Sequence, residues 1–472
     1  MRLTLAEVVQ ATGGHADSGA PSGGVIISGV STDTRTLKPG DLFVPLRGPR
    51  ADGHDHIAQA FAGGAAAALS SRRDAARGGE EVARRAALIR VDDTLRALGD
   101  LAAYYRQTLT VRVVGITGSV GKTTTAGMCA AILAGSYRVV RTPDDWNAEI
   151  GVPLTVLGLR DGDEVAVIEM AMRGLGQIAD LVRIAAPQVG VVTNVGASHL
   201  ELLGSLENVA RAKGELIDGL PPGGTAVLNA DDERVLGLRA RARAAVVTFG
   251  LAPTAGVRAE EIAFTEEGMH FRLVRTDGAA DVVLNTWGLH NVRNALAAFA
   301  VGQVLGLGVD AARRGLAAWA PPEMRLQALR AGEVLIINDA YNASPASMAA
   351  AFEVLRQVGS GRRRLLVLGE MKELGAESAA LHRAVGTQAG GAAAVLIAVG
   401  GSDAEALASG ARDAGGPQDI YRAADPADAA ARLRTIVRAG DVVLVKGSRV
   451  TAMEQVVEAL LVHLGSAARI SP

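Results

Sequence analysis

The residues best suited to chemistry begin at T-G-S-V-G-K-T-T, Thr117 to Thr124. A β-like run enters this loop and a helical run leaves it. Backbone N–H groups at such a helix start offer positive potential to phosphate oxygens. Lys122 is placed to reach β- and γ-phosphates, and the Thr123 hydroxyl to ligate Mg²⁺. The usual pattern asks for glycine six places before the lysine. Ile116 stands there, and the glycine falls at Gly118 instead. The loop alone implies a bound nucleoside triphosphate. It leaves open a motor, a switch, a kinase or a ligase.

Further candidates sit where apolar runs end. "DEVAVIEMAMRG" ends in Glu169, a carboxylate able to hold Mg²⁺ or simply a strand terminus. "VVTNVGASHLELLGS" places His199 in the next such loop, as a metal or phosphate ligand or as a structural histidine. "ENVARAKGELIDGL" is a helix carrying Lys213, whose plain reading is a solvated lysine beside Glu215. "WGLHNVRNALAAFAVG" sets Asn291 and Asn294 one helical turn apart, fit for a base edge, or for capping by Asn291. In "VLIINDAYNASPASM" a strand ends in Asp339 and a polar loop follows with Tyr341 and Asn342. Lys446 and Arg449 bring positive charge to the same edge, suiting an anionic substrate group.

Lysine usage sharpens these choices. Of 48 basic residues only five are lysine: Lys38, Lys122, Lys213, Lys372 and Lys446. An amine able to act as nucleophile is what arginine cannot supply. Lys38, in a "KPGD" turn, needs no such explanation.

Positioning these groups requires open α/β sheets with loops gathered at one edge. A chain of 472 residues predicts two to four domains. From Val111 to about Ala320, runs such as "VRVVGIT", "EVAVIEM", "VGVVTNV", "TAVLNA" and "AAVVTFG" alternate with helices, the signature of a mostly parallel sheet. "GMHFRLVRTDGAADVVLNTWG" reads as an antiparallel excursion turning at Asp277-Gly278. Pro321-Pro322 marks a break, after which "EVLIIND", "RRLLVLGE", "AAVLIAVG" and "DVVLVKGS" start a second α/β pattern. The resulting expectation is an α/β protein of three domains, residues 1–108, 109–320 and 321–472.

Composition excludes several classes. A net charge of -2 does not suit a nucleic-acid coat. One cysteine, Cys129, rules out a disulfide framework and fits a reducing cytosol. The start has no signal-peptide pattern and no apolar run is long enough to span a bilayer. Gly-x-Gly-x-x-Gly is absent, which disfavours dinucleotide binding.

Read in order, "TGSVGKTTT", "NAEIGVPLTVL", "VIEMAMRGLGQI", "TNVGASHLELLGS", "ARAKGEL", "GLHNVRNALAA", "NDAYNASPASM", "LGEMKELG" and "LVKGSR" resemble the Mur ligases of peptidoglycan synthesis over nearly the whole chain. The "YNASP", "LGEMKELG" and "VKGSR" set favours a member whose amine substrate is D-alanyl-D-alanine. The resemblance implies an N-terminal α/β UDP-binding domain, a central P-loop parallel-sheet ATPase domain and a C-terminal Rossmann-like domain. It implies ATP-dependent amide-bond formation on UDP-MurNAc-tripeptide through an acyl phosphate, with Mg²⁺ and a carbamylated Lys213. A cytoplasmic monomer with no nucleic-acid partner and no membrane insertion is expected. Another ligase of the superfamily, diaminopimelate-adding or folylpolyglutamate synthase-like, is the nearest rival, and a P-loop regulatory or transport ATPase the more distant one.

The resemblance also assigns residues. Gly115, Ile116, Thr117, Gly118, Ser119, Val120, Gly121, Lys122, Thr123 and Thr124 would cradle ATP, with Asn291 and Asn294 around the adenine. Arg325 would reach the phosphates. Thr123 and Glu169 would hold one Mg²⁺, and His199 and Lys213 a second. Asp339 would face the ribose and catalytic centre, with Tyr341, Asn342, Lys446 and Arg449 on the dipeptide side. Ser31, Asp33, Arg35, Arg47 and Gly48 would line the UDP pocket, and Asn147 would face the tripeptide arm. Met324-Arg325 stands where relatives often have Gly-Arg, and Asn338-Asp339-Ala340 where Asp-Asp-Ser is frequent.

Overall fold

The computed structural model describes residues 1–17, 24–72, 87–143, 146–196, 200–265, 267–465 and 468–469. Three large sheets follow one another along the chain. The first has five strands in the order 15–16, 87–90, 67–70, 41–43 and 29–31, parallel except for the first pair. These strands are two to four residues long, and the run "GVIISGV" splits into Ile26–Ile27 and Gly29–Ser31.

The central sheet has nine strands, ordered 278–284, 268–275, 257–265, 245–250, 225–229, 189–192, 112–117, 165–169 and 139–141. Its inner strands are apolar and buried on both faces, as Val165–Glu169 and Val189–Val192 show, because helices cover the sheet on each side. The strand Arg112–Thr117 lies between Val165–Glu169 and Val189–Val192. Its carboxyl end is therefore a switch point, where open α/β sheets bind ligands. The antiparallel excursion is present, but Arg275 pairs with Gly278. The turn residues are thus Thr276 and Asp277, one place earlier than the Asp-Gly signal indicates. Val257–Thr265, a third strand of this excursion, was not anticipated.

The third sheet is ordered 419–423, 395–399, 364–369, 442–446, 334–339, 327–331 and 468–469. Val442–Lys446 lies between Arg364–Gly369 and Val334–Asp339, all parallel. Gln327–Ala331 pairs antiparallel with Val334–Asp339.

The first two units share an apolar core running from Leu3 through Leu98 and Leu101 to Leu216. The helix Thr94–Gln107 joins them: Asp93 caps it, and its Tyr105 hydroxyl donates to the Leu159 carbonyl at 2.8 Å. No helix among the described residues is long and apolar enough to cross a membrane.

Candidate active site

The loop 118–121 is shaped by close packing. A Cβ at Gly118 would lie 1.8 Å from Thr193 Oγ1, and one at Gly121 2.4 Å from Asn294 Oδ1. The glycine belongs at 118 because Thr193, directly after the strand Val189–Val192, lies against it. Ile116 meanwhile is fully buried in the strand. Asn194 clamps the loop: its Oδ1 accepts from Val120 N and its Nδ2 donates to Val120 O, both at 2.9 Å. Its carbonyl accepts from Ser119 N at 3.1 Å. The amides of Ser119 and Val120 are thus engaged within the protein.

The helix Lys122–Ala134 that follows has no side-chain cap. Its first N–H groups lack intrahelical acceptors, which is the arrangement that receives phosphate oxygens. Lys122 Nζ donates to the Gly118 carbonyl at 2.9 Å, closing the loop on itself. Its pKa is lowered by burial, raised by Glu169 and lowered again by Arg325. Thr117 Oγ1, buried beside this loop, lacks a hydrogen-bond partner among the described residues, and Thr124 is buried.

Glu169 is 6% exposed and its carboxylate is shared. Thr123 Oγ1 donates to Oε2 at 2.8 Å and Asn147 Nδ2 to Oε1 at 2.9 Å. Asn147 therefore meets the acid at the strand end; a contact with a peptide arm is not its present one. Two oxygens about 2.9 Å apart are neighbours on an octahedral ion with bonds of about 2.0–2.1 Å. Thr123 and Glu169 thus fit Mg²⁺.

Lys213 is not a solvated lysine. The helix Leu206–Asp218, capped by Ser205, buries Val209, Ala212, Lys213, Leu216 and Ile217 on one face. Lys213 is 2% exposed. Burial, then the charge of Lys122, pushes its amine well below the usual lysine range. Glu215 is occupied elsewhere, accepting from Gly176 N and Ala179 N. His199 lies outside the described residues.

Asn291 and Asn294 are buried on the helix Leu289–Val304, whose N-cap is Gly288, so Asn291 is not the cap. Asn291 Nδ2 donates to Trp287 O at 2.9 Å, and Asn294 Nδ2 to Asn291 Oδ1 at 3.1 Å. Thr125 Oγ1 donates to Asn294 Oδ1 at 3.3 Å, tying the pair to the P-loop helix.

The third unit reaches over this site. Arg325 donates to Thr123 Oγ1 at 3.1 Å and lies over the Tyr341 ring, 3.9 Å from its centroid. Tyr341 thus props Arg325. Met324 and Leu326, on either side, have φ of 57° and 51°. These are left-handed values that suit glycine, which is why glycine is at home where Met324 stands. Asp339 Oδ1 accepts from Leu326 N at 3.1 Å. Arg173, four residues beyond Glu169, pairs with Glu373 at 3.7 Å.

The charge expected from Lys446 and Arg449 is largely used. Lys446 is buried, donating to Asp339 Oδ2 at 2.5 Å and to Asn342 O at 2.9 Å, so it braces the edge instead of facing an anion. Asn342 Oδ1 accepts from Ala343 N at 2.9 Å. Arg449 donates to Glu454 at 2.7 Å.

In the first unit Ser31 Oγ donates to Asp33 O at 2.8 Å. Arg35 donates to the Asp33 carboxylate and holds it down at about 2. Arg47 pairs with Asp52 at 3.4 Å, and Gly48 N donates to Ala51 O.

Residues that sequence reasoning passed over are Asn194, Thr193 and Thr142. Thr142 Oγ1 accepts from Glu169 N at 3.0 Å. The signal for Thr193 and Asn194 was a polar pair directly after an apolar run. Lys213 was named from the sequence, and the signal for its burial was its register with Val209 and Leu216 on the apolar face.

Three family descriptions match the chain: "Mur ligase family, catalytic domain" at residues 26–106, "Mur ligase middle domain" at 116–302 and "Mur ligase, glutamate ligase domain" at 324–449. The UDP-N-acetylmuramoyl-tripeptide--D-alanyl-D-alanine ligase of Escherichia coli is 39% identical, covering 92% of this chain and 94% of that protein. The Bacillus subtilis enzyme of the same name is 37% identical over 92% and 93%. Among solved structures, MurF from Acinetobacter baumannii aligns with a TM-score of 0.88 at 31% identity, over 98% of this chain and 99% of that one. MurF ligase from Thermotoga maritima in complex with ADP aligns at 0.82 and 30%, over 93% and 98%. With a P-loop, a strand-end carboxylate and a third unit laid across them, this chain belongs to the Mur ligase family.

Proposed function

We propose that the chain is an ATP-dependent ligase joining D-alanyl-D-alanine to the C-terminal carboxylate of a UDP-N-acetylmuramoyl-tripeptide. The observation that carries this reading is the contact of Arg325 with Thr123. It brings a polar sheet edge from the third unit onto the nucleotide loop, an arrangement for passing a phosphoryl group onward. A regulatory ATPase has no use for such an edge. The names of the Escherichia coli and Bacillus subtilis relatives support the choice of substrates.

A carboxylate is a poor electrophile, so the γ-phosphoryl group is first transferred to it. The products are an acyl phosphate and ADP. The dipeptide amine then attacks the acyl carbon, the C–N bond forms, phosphate leaves and the amine loses a proton. Transfer between anions needs alignment and charge neutralisation more than covalent help. Lys122 and Arg325 supply fixed positive charge, and the P-loop helix supplies N–H groups. Glu169 and Thr123 would hold Mg²⁺, which neutralises phosphate charge when bound. His199 and a Lys213 carbamate would hold a second ion. A neutral amine adds to CO₂ with loss of one proton, and the buried, proton-poor Lys213 suits that reaction. Asn291 and Asn294 would receive the adenine. Ser31, Asp33, Arg35, Arg47 and Gly48 would receive the uridine nucleotide, and Asn147 a substrate arm. Asp339, Tyr341, Asn342 and Arg449 line the dipeptide side. We take the enzyme to work as a cytoplasmic monomer, where ATP and nucleotide-linked sugars are made.

The deciding experiment supplies UDP-MurNAc-tripeptide and ATP with either D-Ala-D-Ala, diaminopimelate or glutamate. Phosphate release with the dipeptide alone is expected. Release only with a free amino acid would move the chain to a sister ligase, and release without any amine to a plain ATPase.

A further inference from the structure

Four of the five lysines have a place: three in the site and Lys38 in a turn. Lys372 remains. It lies on the loop after the strand Arg364–Gly369, at the sheet edge that faces the P-loop unit, since Glu373 next to it pairs with Arg173. The loop is tightly held. Lys372 N donates to Ser448 Oγ at 2.9 Å and Ser448 N to Glu370 O at 3.1 Å. Glu370 Oε1 accepts from Gly401 N at 2.8 Å, and its Oε2 accepts from Lys372 Nζ at 2.5 Å. A Cβ on Gly400 would come within 2.6 Å of Glu370 Cδ, so this carboxylate sits in a fitted seat. The Lys372 side chain is nevertheless 44% exposed.

Resting on the ligase reading above, we propose that Lys372 takes the C-terminal carboxylate of the incoming dipeptide, with Glu370 holding its ammonium in place. Of the other cations at this edge, Lys446 is sealed from solvent against Asp339 and the Asn342 carbonyl. The spacing agrees. Asp339 pairs with Lys446, and Lys446 with Leu368, across adjacent strands. Asp339 and Leu368, near the end of the strand that leads into the Lys372 loop, are therefore two strand spacings apart, about 9.6 Å. An extended dipeptide spans about 7 Å, and one charge-assisted hydrogen bond adds about 2.8 Å. An amine beside Asp339 thus directs its carboxylate across Val442–Lys446 toward the end of Arg364–Gly369, the strand whose following loop carries Lys372. Lysine suits the task better than arginine. One of its three donors serves Glu370 and two stay available, whereas a guanidinium fork would close bidentately on Glu370.

The test compares D-Ala-D-Ala with D-alanyl-D-alaninamide, whose terminus is uncharged, in wild type and Lys372→Gln. Glutamine keeps a donor for Glu370. Wild type should use the amide with a KM raised about tenfold to a hundredfold, the loss of one charged hydrogen bond. Lys372→Gln should show that same rise with D-Ala-D-Ala, no further rise with the amide, and an unchanged KM for ATP. A variant that keeps the wild-type preference for the acid overturns the proposal. So does one that loses acid and amide turnover alike, which would make the lysine structural. If wild type releases phosphate with neither dipeptide, the ligase reading itself has failed.

Discussion

Thr123 Oγ1 donates to Glu169 Oε2 at 2.8 Å, which sets the first-turn hydroxyl of the P-loop helix against the carboxylate at the end of the neighbouring strand. Glu169→Gln keeps the shape and the acceptor for Thr123, gives up the acceptor for Asn147 and removes the charge that would bind Mg²⁺. We expect kcat to fall roughly a hundredfold to a thousandfold and the melting temperature to change little. Steady-state phosphate release over a Mg²⁺ titration, with a thermal melt alongside, checks this. Undiminished turnover at low Mg²⁺ would rule out the assignment.

Lys213 is buried with its amine driven toward neutrality. Lys213→Arg should lose activity, because a guanidinium cannot be carbamylated. Lys213→Ala should regain part of it when acetate or another short carboxylic acid is added. ¹³C NMR with labelled bicarbonate should show a carbamate in the wild type alone. An active arginine variant would contradict the carbamate.

Gly118 faces Thr193 too closely for any side chain. Gly118→Ala should weaken ADP binding by roughly a hundredfold or more and lower the melting point, the clash falling on a held strand end. Thr193→Ala in the same chain removes the hydroxyl and leaves the Thr193 Cβ at 3.1 Å from the new methyl. The double variant should therefore recover part of the affinity by calorimetry. Simple additivity would mean that the two positions do not meet.

His290 is pushed down to about 4 from an ordinary 6.5 by burial, with Asp339 pulling it up and Lys446 and Arg293 pulling it down. The folded state thus prefers the neutral ring, and the unfolded chain takes up a proton first as pH falls. Stability from this group is complete above about pH 6.5 and is lost on descending toward pH 4, roughly 2–3 kcal/mol in all. Urea unfolding of wild type and His290→Asn at pH 7, 5.5 and 4.5 should show a smaller decline in the variant.

The strand-loop plan was legible because buried parallel strands are written as unbroken apolar runs, as in Val165–Ile168 and Val442–Val445. The P-loop and the strand-end acids followed from them. Partnerships were less legible. Lys446 and Asp339 are 107 residues apart and meet only because strand register sets them side by side. No spacing along the chain encodes that. Asn147 likewise meets Glu169 across a fold-back. In the first unit the β-like runs "GVIISGV", "GDLFVPL" and "AALIRV" fall on the strands Gly29–Ser31, Asp41–Phe43 and Ala87–Arg90, whereas His15–Ala16 and the Ala-rich Ala67–Ser70 carry too little β pattern to be read, and His199 stands outside the described residues.

The scarcity of lysine turns the chain into its own sparse labelling map. Lys213 and Lys446 are sealed inside, while Lys38 and Lys372 stand open to solvent. An amine-reactive reagent would mark those two lysines first, one three residues from Arg35 at the proposed uridine-nucleotide pocket and one beside the P-loop unit. Mass spectrometry of a single pair of peptides could then follow the two proposed ends of the substrate path separately.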